Sequence, residues 1–368
     1  MALNPLYVQS ELPATSQAAL REFNDRYLAV LGASRPTGWA DRLGELVPTD
    51  RPMTTFPISQ LRTLYQQTTG ESRFKTLQEA SFDVKTQEFD DGYEAPLMQL
   101  FLQVFAYRNW QRAPERLVLA EEQFRHTQIA TILANGTSTL CVDGTDFFGT
   151  THPINITNPN IALQTSSTTT TWSNYQSTAT NPLGLNATGI NGGAHSLDAL
   201  QQEVVNMQTG VPDENGVLMG ADPDTILVSA ARYEPLKNML ARERVLEFMT
   251  SASGGTNAPA AATSMTAAST DNFYKGKFTI ELVKEFPYVS GSGQTDDWYL
   301  IDSKMVKSGI SPWLSMRQTV PQSLALRVFD ESSDYFKNTG RIKLSSHIWY
   351  GFSQALPHAI RRIKGPTL

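Results

Sequence analysis

The chain has 368 residues, with 30 Lys and Arg against 36 Asp and Glu and a net charge of −6. Hydrophobic residues make up 40% and aromatics 10%, enough for a sizeable core, so global disorder is excluded. The acidic balance argues against a chain whose main work is gripping nucleic-acid phosphates, and the single cysteine, Cys141, excludes an intrachain disulfide and cysteine-rich zinc modules. Charged residues are 18%, against about 25% in an ordinary globular chain, so the surface is expected to hide against partners. The first residues lack a basic segment followed by an apolar run, so a cytoplasmic site of synthesis is expected. The most apolar stretch, 97–107, is interrupted by Gln99 and Gln103 and falls short of the roughly 20 residues of a membrane span.

Residues 1–60 are broken by six prolines and read as an extended arm with one amphipathic helix over 16–31. In that helix Ala19, Leu20, Phe23, Tyr27 and Val30 share a face, Ser16 caps the start and Gly32 the end. Such an arm has little core of its own and must lie on something else. Over 81–89, Phe82, Val84 and Thr86 alternate with Asp83, Lys85 and Gln87, which predicts a two-faced strand ending near Phe89. Paired with 73–77, which starts at Arg73, it makes a polar hairpin that needs a neighbour for stability.

Residues 95–136 are the most helical part. Asp90, Asp91 and Glu94 precede the expected start, Pro96 suits a first turn, and Pro114 should divide the stretch into two helices. The second carries Leu117, Ala120, Phe124, Ile129 and Leu133 on one face, and Glu115, Arg116, Glu121, Glu122, Arg125 and His126 on an exposed one. Asn135 and Gly136 end it. Two stretches without Lys, Arg, Asp or Glu follow, 147–197 and 248–270, and read as long surface loops. Helices are expected over 197–207 and 230–245, and strands over 225–229, 278–283, 298–301, 324–329, 341–350 and 359–363.

Chemistry-bearing patterns are sparse. Gly291, Ser292 and Gly293 lack the Lys-Ser/Thr of a phosphate loop, and no two of the five histidines lie three or four residues apart. Cys141 sits in an apolar strand and reads as a buried, inert thiol. The run D-G-T-D-F-F-G-T-T-H-P over 143–153 admits two readings. Asp143, Asp146 and His152 are candidate ligands or proton relays for a metal-dependent hydrolase. The plainer reading is a turn at Asp143-Gly144, an aromatic anchor at Phe147 and Phe148, and a second turn at His152-Pro153. Asp296-Asp297 invites a metal too, but reads as a loop end before the 298–301 strand. Arg361, Arg362 and Lys364 form a weak nucleic-acid patch or a solvated strand end. No catalytic, cofactor-binding or metal-binding residue is assigned.

Several of these pieces recur together in one family. The run Ile132 to Gly136, the 143–153 motif, the stretches 213–219 and 223–228, and Asp297 to Asp302 resemble, in order and spacing, the major capsid proteins of tailed bacteriophages, in particular the phage Mu-like head subunits. The likeness runs from about residue 66 to 364. It implies an α+β chain with the Hong Kong-97-type capsid fold. The domain order it implies is an N-terminal arm over 1–60, an E-loop hairpin over 61–95, and a spine helix and peripheral domain over 96–153. An axial domain over 154–296 and a return to the peripheral domain over 297–368 complete it. The implied function is self-assembly into an icosahedral, non-enzymatic shell around double-stranded DNA, in the virion, assembled in the bacterial cytoplasm. Implied partners are the chain itself in pentamers and hexamers, separate scaffolding and portal proteins, possible decoration proteins, and weakly held DNA. Phe23, Tyr27, Arg73, Phe82, Val84, Lys85 and Phe89 become candidate subunit contacts. Some members of the fold crosslink a hairpin lysine to a neighbour's asparagine with a glutamate as base. Here Lys75, Lys85 and Asn338 match, but Ser345 stands where the glutamate is expected, so a non-covalent shell is implied. Alternatives outside this reading are a protein nanocompartment shell of the same fold, a tail-tube or other virion protein, and the hydrolase above.

Overall fold

A 32-residue helix and a 14-residue strand organise the chain. The structure is a computed structural model, and it describes residues 38–57, 81–97, 99, 103–155, 160–166, 168–183, 194–195, 197–250, 265–286, 297–318, 324–329 and 333–365. In chain order come α1 (Trp39–Arg42), β1 (Glu45–Thr49), β2 (Met53–Pro57), β3 (Ser81–Lys85), β4 (Gln87–Pro96) and α2 (Val104–Asn135). Then follow β5 (His152–Pro153), β6 (Thr171–Trp172), β7 (Tyr175–Gln176), β8 (Ala194–His195), α3 (Asp198–Gly210), β9 (Thr225–Val228) and α4 (Ala230–Ala241). The remainder is β10 (Arg244–Thr250), β11 (Met265–Asp271), β12 (Thr279–Leu282), β13 (Trp298–Ile301), α5 (Ser303–Lys307), β14 (Trp313–Gln318), β15 (Leu324–Phe329), α6 (Asp334–Thr339), β16 (Arg341–Gln354) and β17 (Ile360–Ile363). The expected helix over 16–31 and the 73–77 strand lie outside the described residues.

The first sheet is built on β16. Its C-terminal half pairs with β14 and its N-terminal half with β15, while β4 runs antiparallel along its other side from Tyr350↔Gln87 to Arg341↔Pro96. β1 joins the far edge, parallel to β14. Helix α2 crosses this sheet. Trp110, Ala113, Leu117, Val118, Ile129, Ala130, Leu133 and Ala134 are buried at helical spacing, as the apolar stripe predicts. The second sheet, in order β12, β9, β13, β17 and β7, is buried on both faces of β9 and β13 and packs against α3 and α4. A third sheet holds β11, β10 and β8.

Several expectations are corrected. Pro114 does not divide the helix: α2 runs unbroken through it, and buried side chains on both flanks hold the turn together despite the missing N–H. The helix begins at Val104, because Asp90, Asp91, Glu94 and Pro96 belong to β4 rather than to a helix start. Glu121 and Arg125, expected on a solvated face, are buried and paired. Arg125 binds Asp41 at 2.6 Å, and Glu121 accepts from the Tyr350 hydroxyl at 2.6 Å. Gly136 ends α2 in ordinary right-handed geometry; a Cβ there would lie 2.5 Å from the Phe148 ring, which is why the position carries no side chain.

Residues 38–57, placed in a coreless arm, pack on their own chain. Trp39, Ala40 and Leu43 are buried, and the Trp313 indole donates to the Ala40 carbonyl at 3.0 Å. The first uncharged stretch is not all surface loop, since Trp172 and Asn174 are buried in it. The helix expected over 230–245 stops at Ala241, and Arg244 begins β10.

Candidate assembly surface

The hairpin stem has a different partner from the one expected. β3 pairs antiparallel with β2, from Met53↔Lys85 to Pro57↔Ser81, so residues 58–80 connect the two strands. The predicted alternation holds in register. Val84 is 2% exposed, in a cluster with Leu314, Met316 and Ala355, and Phe82 is half-buried with its ring stacked 5.6 Å from Phe56. Asp83 and Lys85 are exposed, and Asp83 accepts from Thr55 at 2.5 Å. Gly351 makes this packing possible, because a Cβ there would lie 2.6 Å from the Lys85 carbonyl oxygen. Val84 was expected to wait for a neighbour; its own chain covers it. Phe89 is half-buried against Phe124 at 4.6 Å. Phe23, Tyr27 and Arg73 lie outside the described residues.

Sequence reasoning missed the strand edge beyond this stem. β4 is ten residues long, and on the side away from β16 it has no strand partner among the described residues. Glu88, Asp90, Asp91 and Glu94 are exposed along it, with no base in the strand. A long free edge is a template for pairing, and acidic side chains restrict what can pair with it. Beside it a cavity of about 340 Å³ opens between β4 and α2, floored by Phe89, Leu117, Phe124 and Ile348. The signal was partial: Phe89 and Tyr93 share one face of β4, but Asp91 stands between them on that same face. The Asp90-Asp91-Gly92 run masked it by imitating a helix start.

The hydrolase candidates part company. Asp143 Oδ2 lies 2.6 Å from His152 Nδ1, whereas Asp146 is exposed and engages Leu140 through a backbone bridge. His152 is 0% exposed, its Nε2 is 3.1 Å from Asn174 Oδ1, and Asn174 in turn donates to the Phe147 carbonyl at 2.9 Å. Burial alone would raise the Asp143 carboxyl, but hydrogen bonds from His152 and Thr145 outweigh it and hold the group below the usual carboxylate range. The group ties a turn to the body of the chain. Phe147 and Phe148, 0% and 2% exposed, are the anchor that the plainer reading expects. Among the described residues no three His, Cys, Asp or Glu side chains gather as metal ligands. The Cys141 thiol points at the Ala355 carbonyl, 3.1 Å away, and burial pushes it up to about 12, so it holds its proton.

A second chain of polar groups has the order of nucleophile, base and acid: Ser345 Oγ is 2.9 Å from His347 Nε2, and His347 Nδ1 is 2.9 Å from Glu88. Ser345 is only 3% exposed, and the chain serves as a link from β16 to β4. The C-terminal basic patch is corrected outright. Arg361 and Arg362 are buried on opposite faces of β17, bound to Glu203 at 2.7 Å and to Asp297 at 2.6 Å. Asp297 is thereby occupied and is no metal ligand. No described helix is long and apolar enough to cross a membrane.

A sequence model of the Mu-like prophage major head subunit gpT matches residues 37–185, the stretch that holds α1, the hairpin stem, β4, α2 and the 143–153 motif. No curated protein matches the sequence. Among solved structures, the procapsid of bacteriophage JBD30 aligns at 11% identity over 96% of this chain and 76% of that one, with a TM-score of 0.48. The mature capsid of bacteriophage PhiM1 aligns at 10% identity over 90% and 88%, with a TM-score of 0.47. The capsid of cyanophage P-SCSP1u aligns at 11% over 89% and 87%, with a TM-score of 0.46.

Proposed function

We propose that this chain, whose residues 37–185 match the Mu-like major head subunit family, is the major capsid protein of a tailed bacteriophage, a virion component that self-assembles into an oligomeric shell. The family match carries the reading. The described surfaces support it, because the matched stretch contains a hairpin stem leading to a 23-residue connection and a long, acidic strand edge that has no strand partner among the described residues. An isolated subunit gains nothing from such an edge; a repeated contact around a symmetry axis uses it at every copy.

The finer parts belong to the same proposal. The shell is icosahedral, built of pentamers and hexamers with the Hong Kong-97-type fold, and encloses double-stranded DNA. The arm, hairpin, spine, peripheral and axial divisions follow the boundaries given above, except that 38–57 serve the body of the subunit. Phe23, Tyr27, Arg73, Lys85 and Phe89, together with the β4 edge, meet neighbouring copies. Assembly takes place in the host cytoplasm with separate scaffolding and portal proteins, and the subunit's work is structural rather than catalytic. Sedimentation velocity of the purified protein tests the reading: it predicts particles far heavier than one 40.7 kDa chain, and a monomer that stays monomeric at every concentration would overturn it.

A further inference from the structure

With Arg361 and Arg362 consumed inside the fold, the exposed positive charge lies elsewhere. Arg108, Arg112 and Arg116 are exposed on α2 at four-residue spacing. At 3.6 residues per turn they span an arc of about 80° and a length of about 12 Å. Glu115 lies about 20° outside that arc, and among the described residues none of the three arginines makes an ion pair. Trp110, Ala113, Leu117 and Glu121 occupy the opposite side of the helix and are buried. The stripe therefore faces away from the subunit's own sheet.

We propose that this stripe is a binding site for the phosphate backbone of double-stranded DNA, an inference that rests on the shell reading for its ligand. Guanidinium groups stay charged at any working pH and match phosphate oxygens in a bidentate fork. One strand of a duplex presents a charge per about 3.4 Å of axis, so a stripe of this length runs beside roughly three or four phosphates of a strand. In a chain of net charge −6, the stripe is a local feature and not a consequence of general basicity. Three contacts give a weak, sequence-independent and salt-sensitive hold, which suits a container that must release its contents. Leu119, 62% exposed, lies in the same arc and would give a protein partner an apolar foothold. That partner is the competing occupant.

The test uses the full chain and the triple variant Arg108→Gln, Arg112→Gln, Arg116→Gln, with circular dichroism to show that the helix is retained. Binding of a short fluorescent duplex is measured across a salt series, and assembly is scored separately by microscopy. The slope of log K against log salt should become shallower by about 2.7, at about 0.9 per lost contact, while shells still form. If the triple variant fails to fold, the single variants Arg112→Gln and Arg116→Gln should each lower the slope by about 0.9. An unchanged slope overturns the inference, and an unchanged slope with lost assembly assigns the stripe to a protein partner. Absence of shells from the unaltered chain would instead count against the shell reading and leave the slope comparison standing.

Discussion

Arg362 and Asp297 form a buried ion pair: the guanidinium donates from Nε and Nη2 to Oδ2 at 2.8 and 2.6 Å, with the side chains 3% and 1% exposed. The same guanidinium donates from Nη1 to the Leu133 and Ala134 carbonyls, at 3.2 and 3.0 Å. These are among the last carbonyls of α2, which have no partner inside the helix, and a cation suits that end of the helix dipole. The rings of Phe148, Tyr175 and Tyr299 surround the group within 6 Å. One arginine on the last strand thus fastens the end of α2 to the second sheet.

Breaking this pair from one side leaves a buried charge without its partner. Arg362→Ala should cost about 3–5 kcal/mol in urea unfolding of the unassembled subunit. A surface role for Arg362 would give a change within about 0.5 kcal/mol.

Acid should weaken the subunit through His358. Burial, with a smaller contribution from nearby His152, holds its imidazole down to about 3, against an ordinary value near 6.5. As the pH falls below 6.5 the unfolded chain takes up this proton and the folded chain does not, so stability declines from there towards pH 3. Between pH 7 and pH 5 the loss is about 2 kcal/mol. His358→Phe, which keeps a ring against Trp172, should remove that part of the slope in unfolding curves taken at the two pH values.

The hairpin stem separates fold from assembly. Val84→Asp puts a carboxylate into the cluster around Leu314 and Met316 and should destabilise the subunit by several kcal/mol. Lys85→Glu alters an exposed charge and should leave the unfolding midpoint within the error of measurement while reducing assembly. Normal particle yield from Lys85→Glu would remove Lys85 from the contact.

Mature particles should run as one band near 40.7 kDa on a denaturing gel. Asn338 is exposed on α6, but Ser345 is buried and bound to His347. The carboxylate at that end of the strand, Glu94, accepts from Tyr335 and Arg341, and those bonds lower its pKa and make it a poor base. A ladder of covalent oligomers would show that another group takes the proton.

What the sequence shows and hides follows from distance along the chain. The apolar stripe of α2 and the short apolar strands β9, β13 and β17 repeat within a few residues, so periodicity reveals them. Pairing does not. Residues 73–77 stand closer to Ser81 in sequence than β2 does, yet the stem pairs β2 with β3 across 23 intervening residues. Charge misleads for the same reason. Arg361 and Arg362 look like a surface patch until Glu203 and Asp297, contributed by remote segments, arrive to bury them. Of the candidate contacts, Val84 changes role because Leu314 and Met316 approach it from more than 200 residues away.

Negative-stain microscopy of the purified, concentrated protein decides whether this chain builds a shell. Closed particles of uniform size are expected, with five- and six-fold clusters of subunits on their surface. Discrete single subunits under every condition of salt and concentration, with or without a scaffolding partner, would show that it does not.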